Sequence, residues 1–136
     1  NPVFYVQYAH ARIASVLRKA AEARIPVDDA TLGAADLSRL DHAAEIAVAR
    51  KLAEWPRLVE VAARTHEPHR VAFYLYDLAS EFHSLYHLGK SETGLRALNE
   101  GDPATSQAKI ALIRSVAVVI SAGLGILGVT PVQEMR

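Results

Sequence analysis

Apolar residues recur every three or four positions along most of this chain, the spacing that lines up one face of an α-helix. Tyr5, Ala9, Ile13, Val16 and Ala20 make the first such stripe, with Asn1 as an N-cap and Pro2 at the first helical position. The pattern predicts a helix over about 2–23. Arg24-Ile25-Pro26 ends the periodicity, and Val27 to Asp36 reads as a turn-rich link holding Asp28, Asp29 and Gly33. A second helix is expected over 37–55, with Leu40, Ala44, Ala47 and Val48 or Leu52 turned inward and Glu45 and Arg50 turned to solvent. Pro56 restarts the chain as a short third helix, 57–66, carried by Leu58, Val61 and Ala62 with Trp55 as a core plug beside it.

Val71, Leu75, Leu78, Phe82 and Leu85 step by four, three, four and three residues, which predicts a fourth helix over 68–88. Its adjoining face carries Tyr76, His83, Tyr86 and His87. Gly89, Gly94, Asn99, Gly101 and Asp102 then scatter through a loop of fourteen residues, pinned in part by Leu95 and Leu98. Asp102 as N-cap and Pro103 open the last helix, expected over 103–128. Ile110, Ile113, Ala117, Ile120, Leu124 and Leu127 form one seam of it, and Leu112, Val116 and Val119 form another. A helix apolar most of the way round belongs in the middle of a bundle. Ser115 to Gln133 is uncharged for nineteen residues, close to spanning length, but Pro131, two serines and three glycines argue against a membrane span. Gly128 suits a left-handed helix end. The expected fold is all-α: one domain over 1–136, a bundle of about five helices.

Composition narrows the function. Lys plus Arg and Asp plus Glu each total 15, so the formal charge is zero, and a generic polyanion binder would be strongly basic. Any nucleic-acid contact must come from a local patch and from stacking. No cysteine is present, which excludes disulfides and thiolate metal sites and fits a reducing, cytoplasmic setting. The N-terminus is a capped, Tyr-rich helix in place of a basic leader with an apolar core, and the absent initiator Met points to an excised domain.

Candidate chemistry is sparse. His83 and His87 have the one-turn spacing of a two-histidine zinc motif, but Ser84 stands where the protease version needs Glu, and no third ligand follows. His66 and His69 share the shortage, so solvent-facing or capping roles are expected of these histidines. Ser80, Ser84 and Ser91 lie in no nucleophile-elbow context, and nothing gathers a nucleophile, an orienting group and a polar pocket. No catalysis is expected of the chain alone.

The aromatic and basic residues point elsewhere. Single-stranded bases are read when splayed out, stacked on aromatic faces and bonded at their edges. Tyr8 and Arg12 lie one turn apart on the first helix, with Gln7 and His10 nearby, while Tyr86 and Lys90 lie one turn apart at the end of the fourth. The run Tyr5-x-x-Tyr8-Ala9-His10-x-Arg12 closely resembles the opening helix of the anticodon-binding domain of arginyl-tRNA synthetases. Pro68-His69-Arg70-Val71-Ala72-x-Tyr74-Leu75-Tyr76-Asp77-Leu78-Ala79, Phe82-His83-x-x-Tyr86 and the ending Leu127-Gly128-Val129 to Glu134-Met135 are similar to further segments of that family. The resemblance covers essentially the whole chain. It implies a helical domain of the class I synthetase type that binds the anticodon loop of arginine tRNA. Tyr8, Tyr86 and Met135 would shape the base pocket, with Tyr5 as a weaker member. Where some relatives carry a second aromatic, this chain has Lys90, which implies a phosphate contact, and Arg136 extends past the usual terminal Met. No cofactor is implied for the domain itself. ATP and magnesium would serve the catalytic domain of the parent enzyme, which is also its expected partner. The alternatives are a helical module that docks a protein, or the related domain of a cysteinyl or methionyl synthetase.

Overall fold

Pro2–Glu22 forms α1 in the computed structural model, which describes residues 1–135. Asn1 caps it, its side-chain oxygen accepting from the Val3 amide at 2.9 Å. The remaining helices are α2 (Asp29–Gly33), α3 (Ala43–Ala53), α4 (Trp55–Arg64), α5 (His69–Ser91) and α6 (Pro103–Ile126). Two 3₁₀ turns, Leu37–Arg39 and Thr93–Leu95, complete the order, and no strand occurs among the described residues. Five of these helices are the ones that periodicity predicts. The sixth, α2, is a single turn inside the expected link, capped by Asp28 through the Thr31 amide.

The second expected helix begins late. Asp36 caps a 3₁₀ turn, and His42 opens α3 by accepting from the Ala44 amide while Glu45 Oε1 accepts from the His42 amide. That reciprocal cap places Glu45 inward, and it is 1 % exposed, the reverse of the solvent position expected from the sequence. Its carboxylate accepts from Lys109 Nζ of α6 at 2.5 Å. A buried carboxylate persists only with such a partner.

The main core cluster is drawn from α1, α3, α4, α5 and α6, with Ile13, Leu75, Leu78, Phe82, Ile120 and Leu124 almost wholly enclosed. The last helix shares its central place. α5 packs on α1, α3, α4 and α6, while α6 packs on α1, α2, α3 and α5. The two meet closely at Gly123, where an added Cβ would stand 2.7 Å from both methyls of Leu75. α6 is long and apolar enough to cross a membrane by length and composition, and 50 % of its most apolar stretch is buried inside this bundle. It ends in a Schellman turn: Val129 N donates to Leu124 O, Gly128 N donates to Gly125 O, and Gly128 sits at φ +76°.

That turn aims the C-terminal tail back along α1. Gln7 grips it with both ends of its amide, Nε2 donating to Thr130 O and Oε1 accepting from Val132 N, each at 2.8 Å. His10 Nδ1 donates to Val132 O at 2.7 Å, and Arg18 donates to Gln133 O at 3.3 Å. The fourteen-residue loop is held as well as crossed: Ser106 Oγ accepts from Asn99 N and donates to Asn99 O, each at 2.8 Å, and Leu98 packs on a second small core with Ile25 and Ile110.

Candidate nucleic-acid interface

Helical spacing alone puts Tyr8 and Arg12 one above the other on α1, and the α1–α5 packing brings Tyr86 opposite them. The guanidinium carbon of Arg12 lies 4.5 Å from the Tyr8 ring centre and 4.1 Å from the Tyr86 ring centre. Arg12 Nη2 donates to the Tyr8 hydroxyl at 2.9 Å, and Nη1 donates to His83 Nδ1 at 3.0 Å. The cation is therefore held in one orientation by two rings and two hydrogen bonds, and none of these partners neutralises it.

His83 is the hidden member of the group. It is 5 % exposed beneath Tyr5 and Tyr8, whose ring centres stand 4.7 and 5.6 Å away. The expectation of a solvent-facing or capping histidine is corrected here. Because Arg12 donates to Nδ1, that nitrogen must keep its lone pair, which leaves no lone pair there for a metal. Nε2 is buried without a hydrogen-bond partner. Burial first, then the nearby Arg12 and His87 charges, push the imidazole pKa down to about 4, against a weaker upward pull from the Tyr5 backbone.

Tyr8, Arg12, Tyr86 and Met135 line one shallow cleft of about 380 Å³, with Lys19 and Glu134 at its edge. Tyr8 is 40 % exposed and Tyr86 is half-buried, whereas Phe82 and Leu78 on the same helix point into the core. Met135 reaches the cleft because Gln7, His10 and Arg18 clasp residues 130–133. The polar face of α1 thus does two jobs. Gln7 and His10 hold the tail, a use that sequence reasoning missed; their i, i+3 spacing beside the apolar stripe is the signal that some fixed polar partner lies over them. Arg136 lies outside the described residues.

Two expected site residues fall outside this cleft. Tyr5 is half-buried against Tyr76, at 4.9 Å between ring centres, and opens with Phe4 onto a neighbouring hollow that also touches Tyr8 and Arg12. Lys90 stands on the far side of Tyr86, its Nζ 5.6 Å from the ring centre, at the mouth of a separate cavity. Tyr86 stands with Val16 and Lys19 in the wall that both spaces share.

The charge pattern around that wall is not that of the chain as a whole. Lys51, Arg64, Arg70, Lys109 and Arg114 each lie within reach of a carboxylate. Arg12, Arg18, Lys19, Lys90 and Arg96 have no such partner among the described residues. Arg24, Arg50 and Arg57 also lack such a partner among the described residues, so the unneutralised cations of this chain of zero net charge are not confined to the two tyrosines, but those beside them form the local patch that a single-stranded polyanion requires.

The profile of the DALR anticodon binding domain matches residues 6–135. The arginine–tRNA ligases of Ruegeria pomeroyi and Cereibacter sphaeroides strain KD131 are 70 % and 73 % identical over all 136 residues. The chain spans 23 % of the length of each. The arginyl-tRNA synthetase of Thermus thermophilus superposes with a TM-score of 0.71 at 32 % identity, covering 96 % of this chain and 21 % of that one.

Proposed function

From the premise that this chain belongs to the DALR anticodon-binding domain family, we propose that it captures the anticodon loop of arginine tRNA as one part of a longer arginine–tRNA ligase. The observation that carries this is the convergence of Tyr8, Arg12, Tyr86 and Met135 on one cleft that Arg18 and Lys19 also line. A splayed base stacks on an exposed tyrosine face, and the Met135 side chain closes the apolar lip. Arg12 meets a phosphate or a base edge from a fixed position, so little side-chain entropy is lost on binding. Lys90 and Lys19 meet neighbouring phosphates, and Tyr5 contributes from the adjoining hollow as a weaker member.

Ligation itself belongs to the remainder of such an enzyme. Its catalytic domain, the partner of this one, would join arginine to the tRNA with ATP and magnesium in a cytoplasmic setting. The helical docking module predicts that Tyr8 and Tyr86 are buried and that no concave face gathers Arg12, Lys90 and Met135. The exposed Tyr8 and the cleft shared by Arg12 and Met135 favour RNA, while the half-buried Tyr86 and the place of Lys90 in the neighbouring cavity do not separate the two readings. The test is a titration of the 136-residue chain against arginine tRNA and a copy with an altered anticodon. Tighter binding of the first supports the proposal, and equal or absent binding contradicts it.

A further inference from the structure

Packing does not explain why residue 83 is a histidine. Its ring is 5 % exposed among the rings of Tyr5, Tyr8 and Phe82, whose centres stand 4.7, 5.6 and 5.5 Å away. An apolar side chain would fill that space at no polar cost. The imidazole instead carries its proton on Nε2, which is buried without a hydrogen-bond partner. An unmatched buried donor is destabilising, so what the histidine adds over an apolar residue is its other nitrogen.

That nitrogen, Nδ1, accepts from Arg12 Nη1 at 3.0 Å. Burial and the Arg12 charge hold the ring's pKa down at about 4, so at neutral pH the lone pair is present in nearly every molecule. The acceptor is also uncharged. A carboxylate here would fix Arg12 as firmly, but it would cancel the charge that an RNA phosphate needs. Among the described residues, no carboxylate reaches Arg12. The other hydrogen bond to the guanidinium, from Nη2 to the Tyr8 hydroxyl, lies at the surface on a ring that is 40 % exposed. His83 holds the cation from below, where RNA does not reach.

Resting on the proposed function, we propose that His83 is a positioning residue of the RNA site: through Nδ1 it fixes the Arg12 guanidinium in the pose that meets the anion and leaves its charge intact. RNA then meets a cation whose side-chain freedom is already restricted.

The experiment titrates an anticodon stem-loop of arginine tRNA with the 136-residue chain and its variants, beside a thermal melt of each. His83→Asn keeps an acceptor one bond beyond Cγ, as Nδ1 is, and should bind close to wild type. His83→Leu fills the space without an acceptor. It should bind roughly 2- to 12-fold more weakly, the cost of immobilising one long side chain on binding. A packing role ranks the two the other way, because Leu suits a dry aromatic site better than Asn. In an Arg12→Ala background, His83→Leu should cause no further loss. If folded His83→Leu binds as tightly as His83→Asn, or loses as much without Arg12 as with it, the proposal is overturned. A second readout needs no substitution and holds even if a variant unfolds. Long-range proton–nitrogen NMR correlations of the wild-type chain should show His83 Nδ1 bare and Nε2 protonated, and a proton on Nδ1 would overturn the proposal. A wild-type chain that does not bind the stem-loop removes the proposed function and this role together, whereas variant results against a binding wild type bear on His83 alone.

Discussion

The guanidinium carbon of Arg12 lies 4.1 Å from the centre of the Tyr86 ring, so a cation on α1 rests against an aromatic face of α5. That contact joins packing to the proposed activity. It fixes the angle of the Tyr86 ring, holds a positive charge beside it, and depends on His83 below to accept the second guanidinium bond. Cation–π contacts of this kind contribute roughly 0.5–2 kcal/mol, depending on how dry the site is.

Acid should loosen this arrangement. His83 titrates near 4 in the fold and near 6.5 when unfolded, so the unfolded chain takes up the proton first. Stability from this group is full above about pH 6.5 and drains away as pH falls towards 4. Melting temperature should therefore drop across that window. In His83→Asn, whose side-chain oxygen still accepts from Arg12, the drop should be smaller. An identical slope in both proteins would assign the acid sensitivity to other groups.

Gly123 should tolerate no side chain. Alanine is favoured over glycine in a helix by about 1 kcal/mol, so propensity predicts that Gly123→Ala stabilises α6. Its Cβ would meet both Leu75 methyls at 2.7 Å, and Leu75 is fully buried between α5 and α6. Overpacking of that sort costs about 1–3 kcal/mol, so the contact wins and the melting temperature should fall. A higher melting temperature would mean that the two helices part easily. Gly125, with open space where its Cβ would stand, is the control that should gain stability as Ala.

The Glu45–Lys109 pair should show the asymmetry of a buried ion pair. Lys109→Met alone strands a carboxylate that is 1 % exposed and should cost about 3–5 kcal/mol. Glu45→Leu with Lys109→Met should recover most of that loss, measured by urea denaturation of both proteins. If the single change cost no more than the double, Glu45 would have found water or another donor.

Much of this fold was legible in the chain, and the exceptions have physical causes. Long amphipathic periods marked five helices, and the Val71, Leu75, Leu78, Phe82, Leu85 stripe is wholly buried as its spacing requires. Glu45 broke the pattern because its partner, Lys109, is 64 residues away, and no local rule carries that information. The same is true of His83, whose acceptor role depends on Arg12 of another helix, 71 residues away. Gln7 and His10 stand near Tyr8 and Arg12 in the sequence, but their partners are backbone groups of the tail more than 120 positions along. The family resemblance implies Tyr8, Tyr86 and Met135 with Tyr5 as a weaker member, and Arg12 follows from its place one turn after Tyr8; the structure adds that Lys90 and Tyr5 sit in spaces on either side of the cleft.

The tail clasp should matter to binding more than to folding. Gln7→Ala removes both 2.8 Å bonds to residues 130 and 132, one exposed and one part-buried, which contribute about 1 kcal/mol each. The helix core should stay intact, while Met135 leaves the cleft and affinity for an arginine-tRNA anticodon stem-loop falls several-fold. Unchanged affinity in a folded Gln7→Ala chain would show that Met135 takes no part.

The most direct measurement is a titration of that stem-loop with wild type and Tyr86→Ala at several salt concentrations, beside a thermal melt of each. Stacking on an aromatic is worth about 1–3 kcal/mol per base, so Tyr86→Ala should bind roughly 5- to 150-fold more weakly with its helices still folded. Lys90→Ala should cause a smaller loss that shrinks as salt rises, because a phosphate contact releases counterions. Equal affinity of wild type and a folded Tyr86→Ala protein would contradict the account, leaving Tyr86 a packing residue and the cleft without RNA.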